Sequence, residues 1–416
     1  MIVTREELII ALSEAAEVEH GLLVQYLFAA FSIERRDIPD LSPSQQICLA
    51  RWQKIIFDVA REEMDHLAKV CNLLAAIGSA PQFLRPNFPQ SNTSFFLLGV
   101  GKNKHHRYPF DFELERFNDC SLYRFIISEL PKGVTYLAFP NETGIRIATA
   151  RDGSPQPIVY NHVGELYSII EKGFIDLTNL IGEKELFIGG IRNQDNSLDL
   201  VKDLNSARRV INRIIVDGEG TPDDNKDSHY EKFMRVRSEL AKELKQSSSF
   251  NPSKNVALNP QTRYNGDSRG NVTLITHGVT LKLAELFNDI YITMLSTLIQ
   301  YHSQAGETDR QIEALTRISR GVMSTMLRPL AEMLTEMPVH EEQTDLVAGP
   351  CFEIYHPIRL SPDVQSRWKI LKERITQEIG LCESLLDFAN TYTGLKRLNS
   401  VYENLKYLLL DVETVS

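Results

Sequence analysis

The sequence of 416 residues lacks the features that mark several specialised protein classes. It contains five cysteines, an odd number, and none of them forms a Cys-x-x-Cys pair. Scattered cysteines of this kind favour reduced thiols over a disulfide framework or a thiolate zinc site. No stretch approaches the roughly 20 apolar residues that a membrane-spanning helix needs. We therefore expect neither a disulfide-stapled secreted protein nor a membrane protein.

The chain also lacks an excess of positive charge. Its 45 lysines and arginines are outnumbered by 55 aspartates and glutamates, which gives a net charge of -10. A negative chain without a long basic patch is disfavoured as a general nucleic-acid binder. Its first residues, MIVTREELIIALSEAAE, show no positively charged leader ahead of an apolar core. We expect a cytoplasmic protein with neither nucleic-acid nor membrane partners.

Helical periodicity is what the sequence contains along most of its length. Apolar residues recur every three or four positions, and capping residues such as Thr4 and Ser42 precede the first two long patterns. We predict an all-α fold in which Pro329 kinks or breaks one helix. The predicted helices cover approximately residues 5–36, 43–78, 121–130, 159–180, 198–216, 229–245, 279–302, 309–337, 361–389 and 400–410.

Changes in composition along the chain predict three regions, in line with the two or three domain-sized units that this length suggests. Residues 1–245 form a helical bundle with an irregular insertion, rich in Pro, Asn and aromatic residues, at about 81–157. Residues 246–275 are rich in Ser, Asn and Pro and are predicted to be a linker or ordered loop. Residues 276–416 form a C-terminal helical region packed on the bundle.

The second predicted helix carries two polar residues on its apolar stripe. Glu63 and His66 interrupt a row that comprises Leu49, Trp52, Ile56, Val59, Val70, Leu73 and Ile77. Steps of three and four residues place this row on one helix face, and the opposite, solvated face receives Asp58, Arg61, Glu62, Asp65 and Lys69. A carboxylate and an imidazole are therefore aimed into a core, and Glu-x-x-His on an inward face is how helical bundles hold a metal.

Further inward-facing candidates lie on the other predicted helices. Glu19 occupies a stripe position of the first helix, and a core glutamate paired with an arginine or a backbone donor is the alternative interpretation. Glu165 is the third-helix candidate, with His162 in reserve. Glu219 and His229 are the fourth-helix pair, but ten residues separate them, so the loop 220–227 would have to bring them together. Spacing alone favours the alternative interpretation, a solvated glutamate in a Gly-rich turn and a surface histidine.

This set of four carboxylates and two imidazoles suits two iron or manganese ions a few ångströms apart. Hard oxygen ligands offset the charge of the dications, and neutral imidazole completes each metal. Zinc is an alternative, although bridging carboxylate-rich sites more often hold redox-active metals. A site of this kind leaves open positions where dioxygen or a peroxide can bind and be reduced.

Several stretches together resemble a known family, the ferritin-like domain related to the iminophenylpyruvate dimer synthases of violacein- and rebeccamycin-type bisindole pathways. In the first half they are EHGLLVQYLFAAFSI (19–33), VAREEMDHLAKVCNLLAAIG (59–78), RPNFP (85–89), GELY (164–167), GEG (218–220) and SHYEKF (228–233). In the second half they are LAELFN (283–288), MLRPLAEML (326–334) and AGPCFE (348–353). The resemblance implies a ferritin-like four-helix bundle, with metal-binding positions at Glu19, Glu63, His66, Glu165, Glu219 and His229.

Three hypotheses follow for the function. The first is an oxidoreductase in which two iron ions, or two manganese ions, activate dioxygen or peroxide. Its substrate would be a small organic, amino-acid-derived molecule, and the chain can form homo-oligomers. Glu63 would then bridge or chelate the metals, and His66 and His229 would each bind one ion. The second is a non-catalytic protein for iron handling or storage. The third is a helical scaffold whose inward polar residues form a hydrogen-bonded network without metal.

Overall fold

The computed structural model divides the chain into two compact units. The N-terminal unit comprises Met1–Pro81, Pro89–Glu113 and Phe117–Pro252, and the C-terminal unit comprises Gln82–Phe88, Leu114–Arg116 and Ser253–Ser416. The structure describes residues 2–34, 41–83, 85, 87–90, 111–131, 163–218, 227–247, 249–264, 271–303, 306–342 and 345–416. These residues are mostly helical, which confirms the predicted all-α class.

Two long helices form the centre of the N-terminal unit. Helix α1 (Arg5–Ser32) begins at a capping box made by Thr4 and Glu7. Helix α2 (Pro43–Ala76) begins at a second one made by Ser42 and Gln45. Both boxes satisfy backbone N–H groups that the first helical turn leaves open. The two helices pack against each other along their length, as their short connection predicts.

Shorter helices complete this unit. They are α3 (Asp119–Ser128), α4 (Val163–Ile181), α5 (Glu183–Leu186), α6 (Leu204–Gly218) and α7 (His229–Gln246). Helix α3 packs on α1 and α7, whereas α4 packs on α1 and α6, and α2 contacts both α6 and α7. We interpret α3 with α4 as the third member of a four-helix bundle, and α6 with α7 as the fourth.

Both of these bundle members are therefore interrupted along the chain. The interruption between α6 and α7 was predicted. That between α3 and α4 was not, because the short helix at 119–128 was assigned to an irregular insertion. Helix α6 also begins later than predicted, at Leu204, because Asp203 Oδ1 accepts a hydrogen bond from Ser206 N at 2.7 Å and caps the helix there.

Among its described residues, the C-terminal unit consists mainly of helices and contains a short parallel pair of strands, β1 (Pro260–Gln261) and β2 (Thr273–Leu274). It therefore includes part of the stretch that the sequence analysis treats as a linker. Its helices are α8 (Gly278–Ser303), α9 (Asp309–Val322), α10 (Arg328–Leu334), α11 (Val364–Leu386) and α12 (Leu398–Glu413). Among the described helices, none is both long enough and apolar enough to cross a membrane.

The regular α-helix is interrupted just before Pro329, as the position of this proline in the sequence predicts. A π-helical turn, Met323–Leu327, separates α9 from α10, and Pro329 lies in the first turn of α10. Proline has no N–H to donate to the carbonyl four residues before it, which is that of Thr325. The Asn404 side chain of α12 donates to this carbonyl instead, at 3.2 Å.

Candidate metal centre

A cavity lies in the N-terminal unit where the interrupted helices meet α1 and α2. Its walls combine ionisable residues with aliphatic ones and two glycines. They are Glu19, Leu22, Glu63, His66, Glu129, Val163, Gly164, Tyr167, Ile214, Ile215 and Gly218. The end of α3, the start of α4 and the end of α6 thus converge on one point of the bundle.

Glu63 is the centre of the ionisable cluster because each of its oxygens faces a different imidazole. Glu63 Oε2 lies 3.1 Å from His66 Nδ1, and Glu63 Oε1 lies 2.7 Å from His229 Nδ1. The two imidazole rings are stacked with their centroids 5.4 Å apart. All three side chains are at most 2% exposed, so the arrangement is isolated from bulk water.

One further carboxylate lies beside each imidazole. Glu19 Oε2 is 3.8 Å from His66 Nδ1, and Glu129 Oε2 is 3.6 Å from His229 Nδ1. Tyr167 donates a hydrogen bond to Glu19, and Tyr26 donates one to Glu129. The cluster therefore has two similar halves, each with one imidazole, one outer carboxylate and one phenol, around the shared Glu63.

The other imidazole nitrogens face a second pair of carboxylates. His229 Nε2 is hydrogen-bonded to Glu62 Oε2 at 2.8 Å, and Lys232 Nζ lies 2.6 Å from the same oxygen. His66 Nε2 lies 3.6 Å from Asp217 Oδ2, which Lys69 Nζ approaches to 3.4 Å. The assignment of Glu62 and Lys69 to a solvated face was wrong, because α6 and α7 pack along that flank of α2.

Burial and mutual charge shift the pKa values of these groups strongly. Burial, reinforced by the charge of Glu63, raises the pKa of Glu19 to about 7. Burial also acts to raise the pKa of Glu63, but the neighbouring histidines outweigh it and lower this pKa. Conversely, burial acts to lower the pKa of His66 and His229, yet the surrounding carboxylates raise both pKa values well above the ordinary one.

The second pair of carboxylates, Glu62 and Asp217, is ionised at neutral pH. Partial burial acts to raise the pKa of Glu62, but the hydrogen bonds from His229 and Lys232 lower it to about 2. Asp217 behaves in the same way: burial is outweighed by His66 and Lys69, and its pKa falls to about 2. The raised pKa values of the two imidazoles give them positive charge, which balances part of the carboxylate charge.

The structure brings together four of the six sequence-predicted site residues, Glu19, Glu63, His66 and His229. Glu165 is half-buried in the first turn of α4 and is absent from the described walls of the cavity, although its neighbours Gly164 and Tyr167 are there. Glu219 and the reserve candidate His162 lie outside the described residues. Their assignment as metal ligands stays a prediction.

Glu129, the C-cap residue that follows α3, was not among the residues predicted for the site. A signal for it was present, since Glu129 follows Leu122, Phe125 and Ile126 at steps of seven, four and three residues, and all three are buried. Gly218 at the end of α6 lets this carboxylate approach, because a β-carbon there would lie 3.3 Å from Glu129 Oε2. Glu129 was overlooked because its helix was not expected to belong to the bundle.

The donor atoms present fit a divalent transition metal. Single ligand atoms of Glu63, His66 and His229 lie within 4.8 Å of one another, and all three residues are buried. His229 Nδ1 has no hydrogen-bond partner among the described residues, although two carboxylate oxygens lie within 3.6 Å of it. A buried nitrogen that lies close to carboxylate oxygens without forming a hydrogen bond to them is well placed to bind the same metal ion as those oxygens. Three carboxylates and two imidazoles are donors that iron and manganese accept.

The fold and this cluster together define a helical-bundle protein with a candidate carboxylate and histidine metal centre. A family model described as ferritin-like matches residues 12–238, which is more than half of the chain, so the chain belongs to the ferritin-like family. The matched region begins in α1 and ends in α7, and thus contains every residue of the cluster.

Two relatives extend the similarity beyond this region. The chain is 29% identical over 387 residues to dichlorochromopyrrolate synthase from Lentzea aerocolonigenes, covering 84% of this chain and 36% of the relative. It is 24% identical over 362 residues to 2-imino-3-(indol-3-yl)propanoate dimerase from Chromobacterium violaceum, covering 80% and 33% respectively. The chain thus spans about a third of the length of these relatives.

A solved structure of a ferritin-like protein from Caulobacter vibrioides is also similar. It shares 16% sequence identity with a TM-score of 0.49, and the match covers 77% of this chain and 95% of the other.

Proposed function

We propose that the chain is an oxidoreductase of specialised metabolism that uses a dinuclear non-haem iron centre, with manganese as the alternative metal. One observation carries the proposal: Glu63 lies between two buried imidazoles, and each imidazole has its own outer carboxylate. Membership of the ferritin-like family and the similarity to two biosynthetic enzymes support it.

The cluster suggests a role for each side chain. Glu63 would bridge the two ions, since its oxygens face opposite halves of the site. His66 and Glu19 would hold one ion, and His229 and Glu129 the other. We propose Glu129 for the third-helix position, and Glu165, which the sequence suggested there, stays a prediction. Glu219 remains a predicted sixth ligand. When bound, the metal pair would supply the Lewis acidity and the electrons needed to reduce dioxygen or a peroxide.

The surrounding residues shape the site for this chemistry. Tyr167 and Tyr26 donate to the outer carboxylates and so hold the oxygens that face away from the imidazoles. Aliphatic side chains, Leu22, Ile214 and Ile215 among them, form the remaining wall. An apolar wall of this kind excludes water and lowers the local dielectric constant, which strengthens the interaction of the carboxylates with cations.

The names of the relatives suggest the substrate class. One is a synthase of dichlorochromopyrrolate and the other a dimerase of 2-imino-3-(indol-3-yl)propanoate, an indole-bearing imino acid. We propose a small, amino-acid-derived organic substrate for this chain, with dioxygen or peroxide as its co-substrate. Because the chain spans about a third of either relative, its own reaction is to be tested directly.

Metal analysis after anaerobic Fe(II) titration tests the proposal. We expect two tightly bound irons per chain in the wild-type protein and loss of both in Glu63→Gln, a change close to isosteric. Asp58→Asn is the control, since Asp58 lies on the same helix and pairs only with Lys54 and Arg61 in the ion pairs described. Many irons per chain would favour storage. A wild-type protein that takes up no transition metal would refute the proposal in favour of a metal-free scaffold.

A further inference from the structure

A four-residue pattern occurs twice in the N-terminal unit, at the two histidines of the cluster. Helix α2 carries HLAK (66–69), and the first turn of α7 carries HYEK (229–232). Positions three residues apart on a helix are neighbours, so each lysine lies beside the histidine that precedes it. The repeated spacing places a cation next to each imidazole on the side away from Glu63.

In both cases the histidine and the lysine approach one and the same carboxylate oxygen. His229 Nε2 and Lys232 Nζ lie 2.8 and 2.6 Å from Glu62 Oε2. His66 Nε2 and Lys69 Nζ lie 3.6 and 3.4 Å from Asp217 Oδ2. The second arrangement is looser than the first: His66 Nε2 lies near Asp217 but has no hydrogen-bond partner among the described residues, whereas His229 Nε2 is hydrogen-bonded to Glu62.

The carboxylate of each arrangement comes from the opposite side of the bundle. Glu62 belongs to α2 and faces the histidine of α7, whereas Asp217 ends α6 and faces the histidine of α2. Each histidine is therefore contacted by a carboxylate from a different helix. Any movement of α2 relative to the α6 and α7 pair would disturb both imidazoles together.

Such contacts act on a metal ligand through its other ring nitrogen. A carboxylate that accepts the Nε2–H bond fixes the tautomer in which Nδ1 is free to bind a cation, and it fixes the ring plane. The lysine offsets the charge of that carboxylate, so it can orient the ring without adding net negative charge to the site. Side-chain exposures of 34% for Glu62 and 46% for Asp217 place both acceptors at the outer edge of the cluster.

We propose that the Lys232–Glu62 pair is a positioning pair that orients His229 for metal binding through Nδ1 by a hydrogen bond, and that the Lys69–Asp217 pair acts on His66 in the same sense through its nearby charge. The inference rests on the metal centre proposed above. Neither pair is a ligand. Their effect on the metal is exerted through the histidines alone.

Cobalt(II) binding by the purified protein tests this, with affinity measured by chelator competition and with the visible ligand-field spectrum as a second readout. We expect Glu62→Ala to weaken Co(II) binding 10- to 100-fold, the range typical of such partners of metal-binding histidines. Glu62→Gln keeps a carbonyl acceptor and should recover part of the affinity. Asp217→Ala should weaken binding in the same direction.

Asp58→Ala is the matched control, since Asp58 lies four residues before Glu62 on α2 and its side chain is similarly exposed, at 31%. Its Co(II) affinity should equal that of the wild-type protein. The thermal midpoint of the metal-free variants separates positioning from general stability: a structural role would lower the midpoint and leave the Co(II) affinity unchanged, and that result overturns the inference. A wild-type protein that binds no Co(II) overturns the metal centre itself, and the inference with it.

Discussion

A buried glutamate in the C-terminal unit gives the sharpest quantitative prediction. Glu378 on α11 is 3% exposed, and Thr293 of α8 donates a hydrogen bond to its Oε1 at 2.5 Å. Its other oxygen is buried and has no hydrogen-bond partner among the described residues. Burial raises the pKa of Glu378 to about 8, and the charge of Asp289 acts in the same direction. The folded protein therefore holds this carboxyl group protonated at neutral pH.

The sign of the pH effect follows from linkage. Because the pKa in the folded state exceeds the ordinary value of 4.5, the folded state binds the proton more tightly than the unfolded one. The free energy of unfolding should therefore fall as the pH rises from 4.5 to 8. At about 1.4 kcal/mol per pH unit, the full loss is about 5 kcal/mol. This is a ceiling, since water can enter to solvate the charge.

Glu378→Gln removes the titrating group while keeping its shape and a donor in place of the carboxyl proton. The variant should be more stable than the wild-type protein at pH 8 and similar to it at pH 4.5. Trp368 lies on α11 and Trp52 lies in the N-terminal unit, so urea unfolding followed by tryptophan fluorescence in a Trp52→Phe background reports the C-terminal unit alone. Glu383→Gln, at an exposed site on the same helix, is the control.

A pH dependence between 4.5 and 8 that is identical in the wild-type protein and in Glu378→Gln would refute this reasoning. It would mean that the carboxyl group is solvated or paired in the folded state, and that its burial does not control the proton.

Two further predictions concern the other buried charges. Glu129→Gln should weaken Fe(II) binding more than Glu165→Gln does, because Glu129 faces His229 at 3.6 Å and Glu165 is absent from the described cavity walls. Chelator competition measures the Fe(II) affinity of both variants. A larger loss of affinity in Glu165→Gln would assign the third-helix ligand position to Glu165. Arg367→Met should destabilise the C-terminal unit by about 3–5 kcal/mol in urea unfolding, since it removes the guanidinium that lies 2.7 Å from the buried carboxylate of Glu307. A loss below about 1 kcal/mol would show that this ion pair is effectively solvated.

Much of the fold could be predicted from local patterns. Capping residues and apolar periodicity gave the starts of α1 and α2, and Pro329 gave the break before α10, because each of these signals acts within a few residues. The ends of the helices were less accurate. Helix α1, for example, ends at Ser32 rather than at Arg36.

The candidate site was predicted in part for the same reason. Glu19, Glu63 and His66 interrupt regular apolar stripes, so each could be identified on its own helix. Glu129 could not be placed without knowing that α3 packs on α7. Glu62 and Asp217 gave no such signal, because a carboxylate near a helix surface is ordinary until a neighbouring helix brings an imidazole to it.

Local sequence patterns alone predict an all-α chain with two long leading helices, and they direct a carboxylate and an imidazole into its core at Glu63 and His66. Which groups meet those two side chains depends on how the helices pack. Hydrophobic periodicity specifies the buried face of a helix, but not which other faces it meets. The packing of two interrupted helices against α1 and α2 brought His229 and Glu129 to Glu63, and placed Glu62 and Asp217 behind the two imidazoles.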